Sequence, residues 1–344
     1  MDKIVECVPN FSEGRNREVI DRIADAVRRT EGAKLLDVDP NVDYNRTVFT
    51  FVGTPEGVLQ AALAAFAAGA EGIDMSGHKG EHPRMGAADV VPFIPVRGVS
   101  MADCVALSER FGAEIAQRFS LPVYLYEHAA RSPQRRNLAE VRKGEYEGLP
   151  EKLQDPQWLP DFGHAVFNPK LGATITGARI FLIAYNANVR DPNPDKAQEI
   201  ALRIRESGRV KRGPDGKILK DEAGNKIVIP GKLKAVKAMG VALEEYKISQ
   251  VSINLVDYHV TPPHIAYEAV KEEAATLDAV VSGSEIVGLT PLEPLLMAGA
   301  YYCQLNHLPP PATDAELVEA GIRGLGLSDL YPFDANKKII EYMI

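Results

Sequence analysis

The chain has 344 residues, 45% of them hydrophobic and 25% charged, which is enough apolar material for two domains or for one domain built from two halves. A formal net charge of −8 excludes a general nucleic-acid binder, and no stretch is long and apolar enough to span a membrane. Cys7, Cys104 and Cys303 lie far apart and the N-terminus is no signal peptide, so a reducing, cytoplasmic setting is expected.

In chain order, Ile4 to Val8 reads as a strand. Asn16 to Arg29 is a helix, with Val19, Ile20, Ile23, Ala26 and Val27 at helical spacing and Gly32 as the stop. Lys34 to Val38 and Arg46 to Val52 are strands, and Thr54 caps a helix running through Ala70. Val90 to Val96 is a strand that Pro92 and Pro95 demote to an edge or an irregular one. Ser100 caps a helix from Met101 to Arg118, and Pro122 to Tyr126 is the final strand of this half. The order is strand, helix, strand, strand, helix, strand, with a helix and a strand appended.

From Ala129 to Thr176 runs a connector. Its Arg131, Arg135, Arg136, Arg142 and Lys143 read as a solvated basic run. Trp158 to Gly177 is long, irregular and nearly uncharged, fit to line a ligand site or to pack over the junction. The second half then repeats the order of the first: strand Ile180 to Asn186, helix Asp195 to Glu206, strands Ala235 to Glu245 and Val251 to Val256, helix Pro262 to Thr276, and a strand within Ala279 to Leu289. A helix from Pro291 to Leu305 trails it. Gly208 to Lys232, with turn signals at Gly213 to Gly216 and Glu222 to Asn225, is an inserted surface hairpin.

This repeated order predicts an α/β (α+β) protein of two ferredoxin-like, split-βαβ subdomains. The expected divisions are residues 1–178, residues 179–308, and a helical tail, residues 309–344, packed on the body. The tail carries helical patterns at Ala315 to Leu325 and Asn336 to Met343.

The segment between the alanine-rich helix and the Pro92 strand concentrates ionisable residues: His78-Lys79-Gly80-Glu81-His82-Pro83-Arg84. Gly77, Gly80 and Pro83 break any helix, so a polar loop carrying a site is expected. The loop also spells H-x-x-E-H. A zinc hydrolase using His78, Glu81 and His82 is therefore an alternative, although it needs both histidines on one helical face, which Pro83 opposes. The preferred reading is a histidine that works without metal.

VECVPNFSEGRN at the start, LLDVD at Leu35 to Asp39, NRTVFTFVG at Asn45 to Gly53 and HKGEHPRMGAADVVPFIPVRGVS at His78 to Ser100 resemble the glutamate formiminotransferase family. PVYLYE, RKGEYEGLPEKL, the segment from Asp161 to Arg179 and the final IIEYMI extend the resemblance over nearly the whole chain. It implies two α/β subdomains whose sheets face each other across a ligand groove. It also implies transfer of a formimino group from N-formimino-L-glutamate to the 5-nitrogen of tetrahydrofolate, a step of histidine breakdown, by a homodimer. The family's catalytic histidine falls on His82. Its folate-binding stretch falls on Gly163, His164, Ala165, Val166, Phe167, Asn168, Pro169, Lys170, Leu171 and Gly172. His164, Asn168 and Lys170 depart from the animal pattern, as does the insertion. Relatives in animals carry a cyclodeaminase module that is not expected here.

One histidine can take a proton from the attacking amine and return it to the leaving amine, if it starts neutral. Asp39, closing the LLDVD strand, is the expected partner, either orienting His82 or stabilising a cationic intermediate. Asn10, Arg46, Lys79 and Arg84 are the candidates for holding substrate carboxylates and polar edges. A bulky residue at Gly172 is expected to weaken folate binding without loss of stability. Besides the zinc hydrolase, a folate-binding protein without catalysis remains a second alternative.

Overall fold

The computed structural model describes residues 3–309, 311 and 313–344; positions 310 and 312 of the expected tail lie outside these. The chain divides into two compact units, one up to Ile180 and one from Phe181 to Met343.

The elements of the first unit are β1 (Ile4–Cys7), β2 (Asn10–Phe11), α1 (Arg17–Arg28), β3 (Ala33–Asn41), β4 (Arg46–Gly53), α2 (Pro55–Gly72), β5 (Ala88–Arg97), α3 (Met101–Phe119), β6 (Val123–Glu127), α4 (Leu138–Arg142), α5 (Leu149–Lys152) and β7 (Thr174–Ala178). β1 and β2 form one strand interrupted at Val8 and Pro9. Both pair antiparallel with β4 on one side and β5 on the other. The sheet order is β3, β4, β1/β2, β5, β7, β6, and the last two contacts are parallel.

The helices start where side chains satisfy their free N–H groups. Asn16 accepts from Glu18 and Val19, and Thr54 accepts from Gly57. Ser100 and Asp103 form a reciprocal capping box. The apolar stripes of α1, α2 and α3 then cover one face of the sheet, with Phe11, Phe49, Phe51, Phe66, Phe93 and Phe111 buried between them. Phe11 and Phe49 meet edge-to-face at 5.6 Å.

The opposite face is divided. Over β5, β7 and β6, Val90, Ile175, Tyr124 and Tyr126 are buried beneath α4 and α5 through Val141, Leu149 and Leu153. Over β3, β4 and β2 the register keeps Asp39, Asn41, Arg46 and Asn10 on one side: Arg46 pairs with Asn41, and Val48 pairs with Asp39 and with Asn10. This polar half-face positions the site.

Three expectations need correction. β5 is a central strand, not an edge. Pro95 sits where the pairing with β1 skips a residue, and the carbonyl of Pro92 receives the Val8 N–H where β1 breaks from β2, so the missing proline donors cost little. The segment expected to be irregular contains β7, inserted between β5 and β6. The basic run is not simply solvated. Arg135 is buried and paired with Asp161 at 2.8 Å, and Arg142 is paired with buried Asp89.

The second unit runs β8 (Ile183–Val189), α6 (Pro194–Ile204), β9 (Arg209–Val210), β10 (Val228–Ile229), β11 (Val236–Leu243), β12 (Ile248–Leu255), α7 (Pro263–Ala275), β13 (Val281–Val287), α8 (Glu293–Leu305), α9 (Asp314–Leu325) and α10 (Ala335–Lys338). Its four-stranded sheet is antiparallel throughout, in the order β11, β12, β8, β13. One face carries a row of side-chain amides: Gln250 Nε2 donates to Asn188 Oδ1 at 2.8 Å, and Asn186 Nδ2 to Glu285 Oε1 at 2.8 Å. β9 and β10 close the inserted hairpin, which folds back through bridges at Arg212–Ile218 and Lys220–Lys226. In the tail, Ile340 N–H donates to Thr290 at 3.0 Å, tying α10 to the unit.

Candidate functional site

The loop from His78 to Arg84 leaves a single turn of 3-10 helix, Met75–Gly77, and rests on the β3–β4 turn. Asn45, at φ 47°, is the hub. Its Nδ2 donates to the Lys79 carbonyl at 2.9 Å, its Oδ1 accepts the Gly14 N–H at 3.0 Å, and its carbonyl accepts His78 Nε2–H at 2.9 Å. Gly80 is needed for this contact, since a Cβ there would lie 2.2 Å from the Tyr44 carbonyl oxygen.

The two histidines of the loop are in different states. His78 is buried, and its Nδ1 faces Arg84 Nε at 3.3 Å. Both of its ring nitrogens are therefore committed, as the neutral Nε2–H form, and burial holds its pKa below the ordinary value. His82 is half-buried. Its Nδ1 lies 2.7 Å from the Pro83 carbonyl, which can only accept, so the proton sits on Nδ1 and Nε2 keeps its lone pair. Burial pushes the His82 pKa down, and the nearby Arg46 and Arg142 push it further. Tyr44 flanks the ring at 5.7 Å. The shared helical face that H-x-x-E-H requires is not formed, and among the described residues no three His, Cys, Asp or Glu are grouped to hold a metal.

The other expected residues are distributed as follows. Arg46 opens β4 on the polar half-face. Its Nε is withdrawn from solvent without a partner, and burial lowers its pKa. Asn10 is buried, donates Nδ2 to the Val8 carbonyl at 2.9 Å, and leaves Oδ1 without a partner. Asp39 is exposed, next to Arg46 in the sheet register and within its electrostatic reach, but it makes no hydrogen bond to His82. Lys79 is exposed. Arg84 is buried and spends its guanidinium on Glu147, at 2.7 and 2.8 Å, and on Glu145 at 3.1 Å. That pairing holds the Glu147 carboxyl down at about 2.

Gly163 to Gly172 crosses the surface and ends beside this loop. His164, Ala165 and Val166 are exposed, and the Phe167 ring meets Tyr146 in a tilted contact at 5.3 Å. Asn168 Nδ2 donates to the Phe119 carbonyl at 3.3 Å, the Pro169 carbonyl accepts Tyr146 O–H at 2.6 Å, and Lys170 Nζ reaches the Glu71 carbonyl at 3.3 Å. Leu171 is buried, and its carbonyl receives the Ala87 N–H at 2.9 Å. Gly172 bridges to Gly86 with φ 67°, where an added Cβ would fall 2.2 Å from the Met85 carbonyl. The expectation that Gly172 tolerates bulk is thus wrong: it is a backbone junction between the Gly163–Gly172 segment and the histidine loop.

Of two charged residues acting on His82, Asp89 was not singled out from sequence and Arg142 was read only as part of a solvated basic run. Asp89 is 1% exposed, accepts the Met85 N–H at 2.8 Å and pairs with Arg142. A lone carboxylate inside the apolar run Ala87 to Ile94 was the available signal.

Comparison with known proteins bears on the whole chain. The model of the formiminotransferase domain, N-terminal subdomain, matches residues 4–179, and that of the formiminotransferase domain matches residues 184–344. The formimidoyltransferase-cyclodeaminase of Rattus norvegicus is 49% identical over 344 residues, covering all of this chain and 60% of that protein. The glutamate formimidoyltransferase of Streptococcus pyogenes serotype M1 is 40% identical over 306 residues, 89% of this chain and 95% of that protein. That of Thermoplasma acidophilum is 42% identical over 305 residues, 88% of this chain and 93% of that protein.

Proposed function

The chain belongs to the formiminotransferase family, and from that premise we propose that it is a glutamate formimidoyltransferase, moving the formimino group of N-formimino-L-glutamate to the 5-nitrogen of tetrahydrofolate in histidine degradation and one-carbon metabolism. The observation that carries the reading is His82, whose Nδ1 is bound to the Pro83 carbonyl and whose Nε2 is left as a base beside Arg46.

In this mechanism the folate 5-nitrogen attacks the formimino carbon and forms the new C–N bond. His82 Nε2 removes the proton that the attacking nitrogen must lose. The imidazolium then gives a proton to the glutamate nitrogen as the old C–N bond breaks, releasing glutamate. Asp39 offers a carboxylate to the positive charge of the amidinium and its tetrahedral adduct. Arg46 and Asn10 bring unpartnered polar atoms for substrate, and Lys79 an exposed cation. Arg84 acts through the loop it ties to Glu147. Gly163 to Gly172 is the folate-binding stretch, with Phe167 and Tyr146 as a surface for the ring system. The antiparallel β11–β12–β8–β13 order supports reading the second unit as ferredoxin-like. The first unit repeats the order β3, β4, β1/β2, β5 before its two added strands. A cytoplasmic homodimer belongs to the same proposal.

The test is turnover by the pure protein given tetrahydrofolate and formiminoglutamate, with and without a strong chelator. Formation of 5-formiminotetrahydrofolate in both conditions is expected. Activity lost to the chelator and restored by zinc would favour the metal hydrolase instead. Folate binding without turnover would leave a carrier.

A further inference from the structure

Beside His82 lies a cation to which the roles above assign nothing. Arg142 ends α4, and the backbone around it is pinned: Lys152 Nζ donates to the carbonyls of Val141 and Lys143. Its guanidinium lies inward, 15% exposed, with Nη2 on Asp89 Oδ2. The other oxygen of Asp89 accepts the Met85 N–H at 2.8 Å, and Asp89 acts on Arg46 through space, with no hydrogen bond between them.

Arg46 and Arg142 repel each other and both act on His82; the attraction that offsets this on Arg46 comes from buried Asp89, which is hydrogen-bonded to Arg142, and from exposed Asp39. The Arg46 guanidinium makes no hydrogen bond or ion pair among the described residues. The Nε atoms of both arginines are withdrawn from solvent with no acceptor, and Asn10 Oδ1 with no donor. Buried polar groups left unpaired are costly, and a guanidinium matches a planar carboxylate.

We propose that Arg142 contacts substrate and, with Arg46, holds the α-carboxylate of the amidine donor beside His82, Asp89 being the positioning residue that aims Arg142. The inference rests on the transferase reading. The α-carboxylate is singled out by connectivity. It sits on the carbon that bears the leaving nitrogen, so a base that protonates that nitrogen has the α-carboxylate as its neighbour. The γ-carboxylate lies two methylenes further off, and the reacting ring of tetrahydrofolate carries no carboxylate.

The experiment measures initial rates of wild type, Arg142→Met and Arg142→Lys, with each substrate varied. It uses formiminoglutamate and its α-amide and γ-amide analogues. Arg142→Met should raise the donor KM by about 10- to 100-fold, the worth of a charge-assisted pair, and leave the tetrahydrofolate KM within a few-fold. Wild type should lose a similar factor on the α-amide donor and less on the γ-amide, and Arg142→Met should lose little more on the α-amide while keeping the wild-type penalty on the γ-amide. The lysine variant should fall between. A variant that melts lower but discriminates against the α-amide as wild type does would show a structural role and overturn the proposal. A change in the folate KM alone would also overturn it. Should Arg142→Met not fold, equal α- and γ-amide penalties in wild type would suffice to refute it. No turnover by wild type would instead defeat the transferase reading itself.

Discussion

Replacing Gly172 by alanine tests the junction between the Gly163–Gly172 segment and the histidine loop. The residue has φ 67°, and the new Cβ would meet the Met85 carbonyl oxygen at 2.2 Å and the Gly86 Cα at 2.8 Å. A left-handed conformation costs a non-glycine residue about 1–2 kcal/mol. Relieving the overlap needs a backbone shift, worth about 1–3 kcal/mol in a packed region. The sum is about 2–5 kcal/mol, which for a unit of this size lowers Tm by about 5–15 °C. Thermal unfolding followed by circular dichroism reads this directly, with His164→Ala, exposed on the same segment, as the control that should melt like wild type. Turnover should fall along with stability, because Met85 and Gly86 follow closely on His82. If Gly172→Ala melts with the wild type, the close approach and the argument built on it are wrong.

Arg84→Met removes the fork onto Glu147 and the donor facing His78. Since both glutamates can be resolvated, the loss should be about 1–3 kcal/mol in urea unfolding, below that of a fully buried pair; no loss would refute the anchoring role. His78→Ala should cut kcat far less than loss of His82 does while lowering stability, since His78 holds the loop and leaves no lone pair free; a kcat loss equal to that of a His82 variant would contradict this division. The pH profile has a defined sign. His82 must be neutral to act and its pKa is depressed, so kcat/KM should hold above the ordinary histidine value of about 6.5 and fall only as pH drops through a lower pKa. An acid limb at or above the ordinary value would refute the depressed pKa. His78 acts on stability in the same direction: its neutral form is favoured in the fold, so stability should decline as pH falls below its unfolded pKa.

Much of the architecture follows from local signals. The helical spacing of Val19, Ile20, Ile23 and Val27, and the Ser100 cap, are written within single elements and appear where expected. The misses are non-local. Pro92 and Pro95 signal an edge strand unless the gap at Val8 and Pro9 and the skipped residue opposite β1 are known. β7 is five residues of Thr, Ile, Gly and Ala, and becomes a strand only by parallel pairing with β5 and β6. At the site, the broken loop was legible because glycine and proline act locally. Arg142 was not, because its partner Asp89 lies 53 residues away and only the folded sheet brings them together. Arg84 looked like a free cation because Glu145 and Glu147 arrive from a different segment.

In the proposed transfer His82 Nε2 carries the proton. The most direct measurement is His82→Ala assayed with tetrahydrofolate and formiminoglutamate, with tetrahydrofolate binding measured by titration on the same preparation. Turnover should fall by about 10²- to 10⁴-fold, the range for a positioned acid–base group, while the folate Kd stays within a few-fold of wild type. A variant that turns over at the wild-type rate would contradict the account.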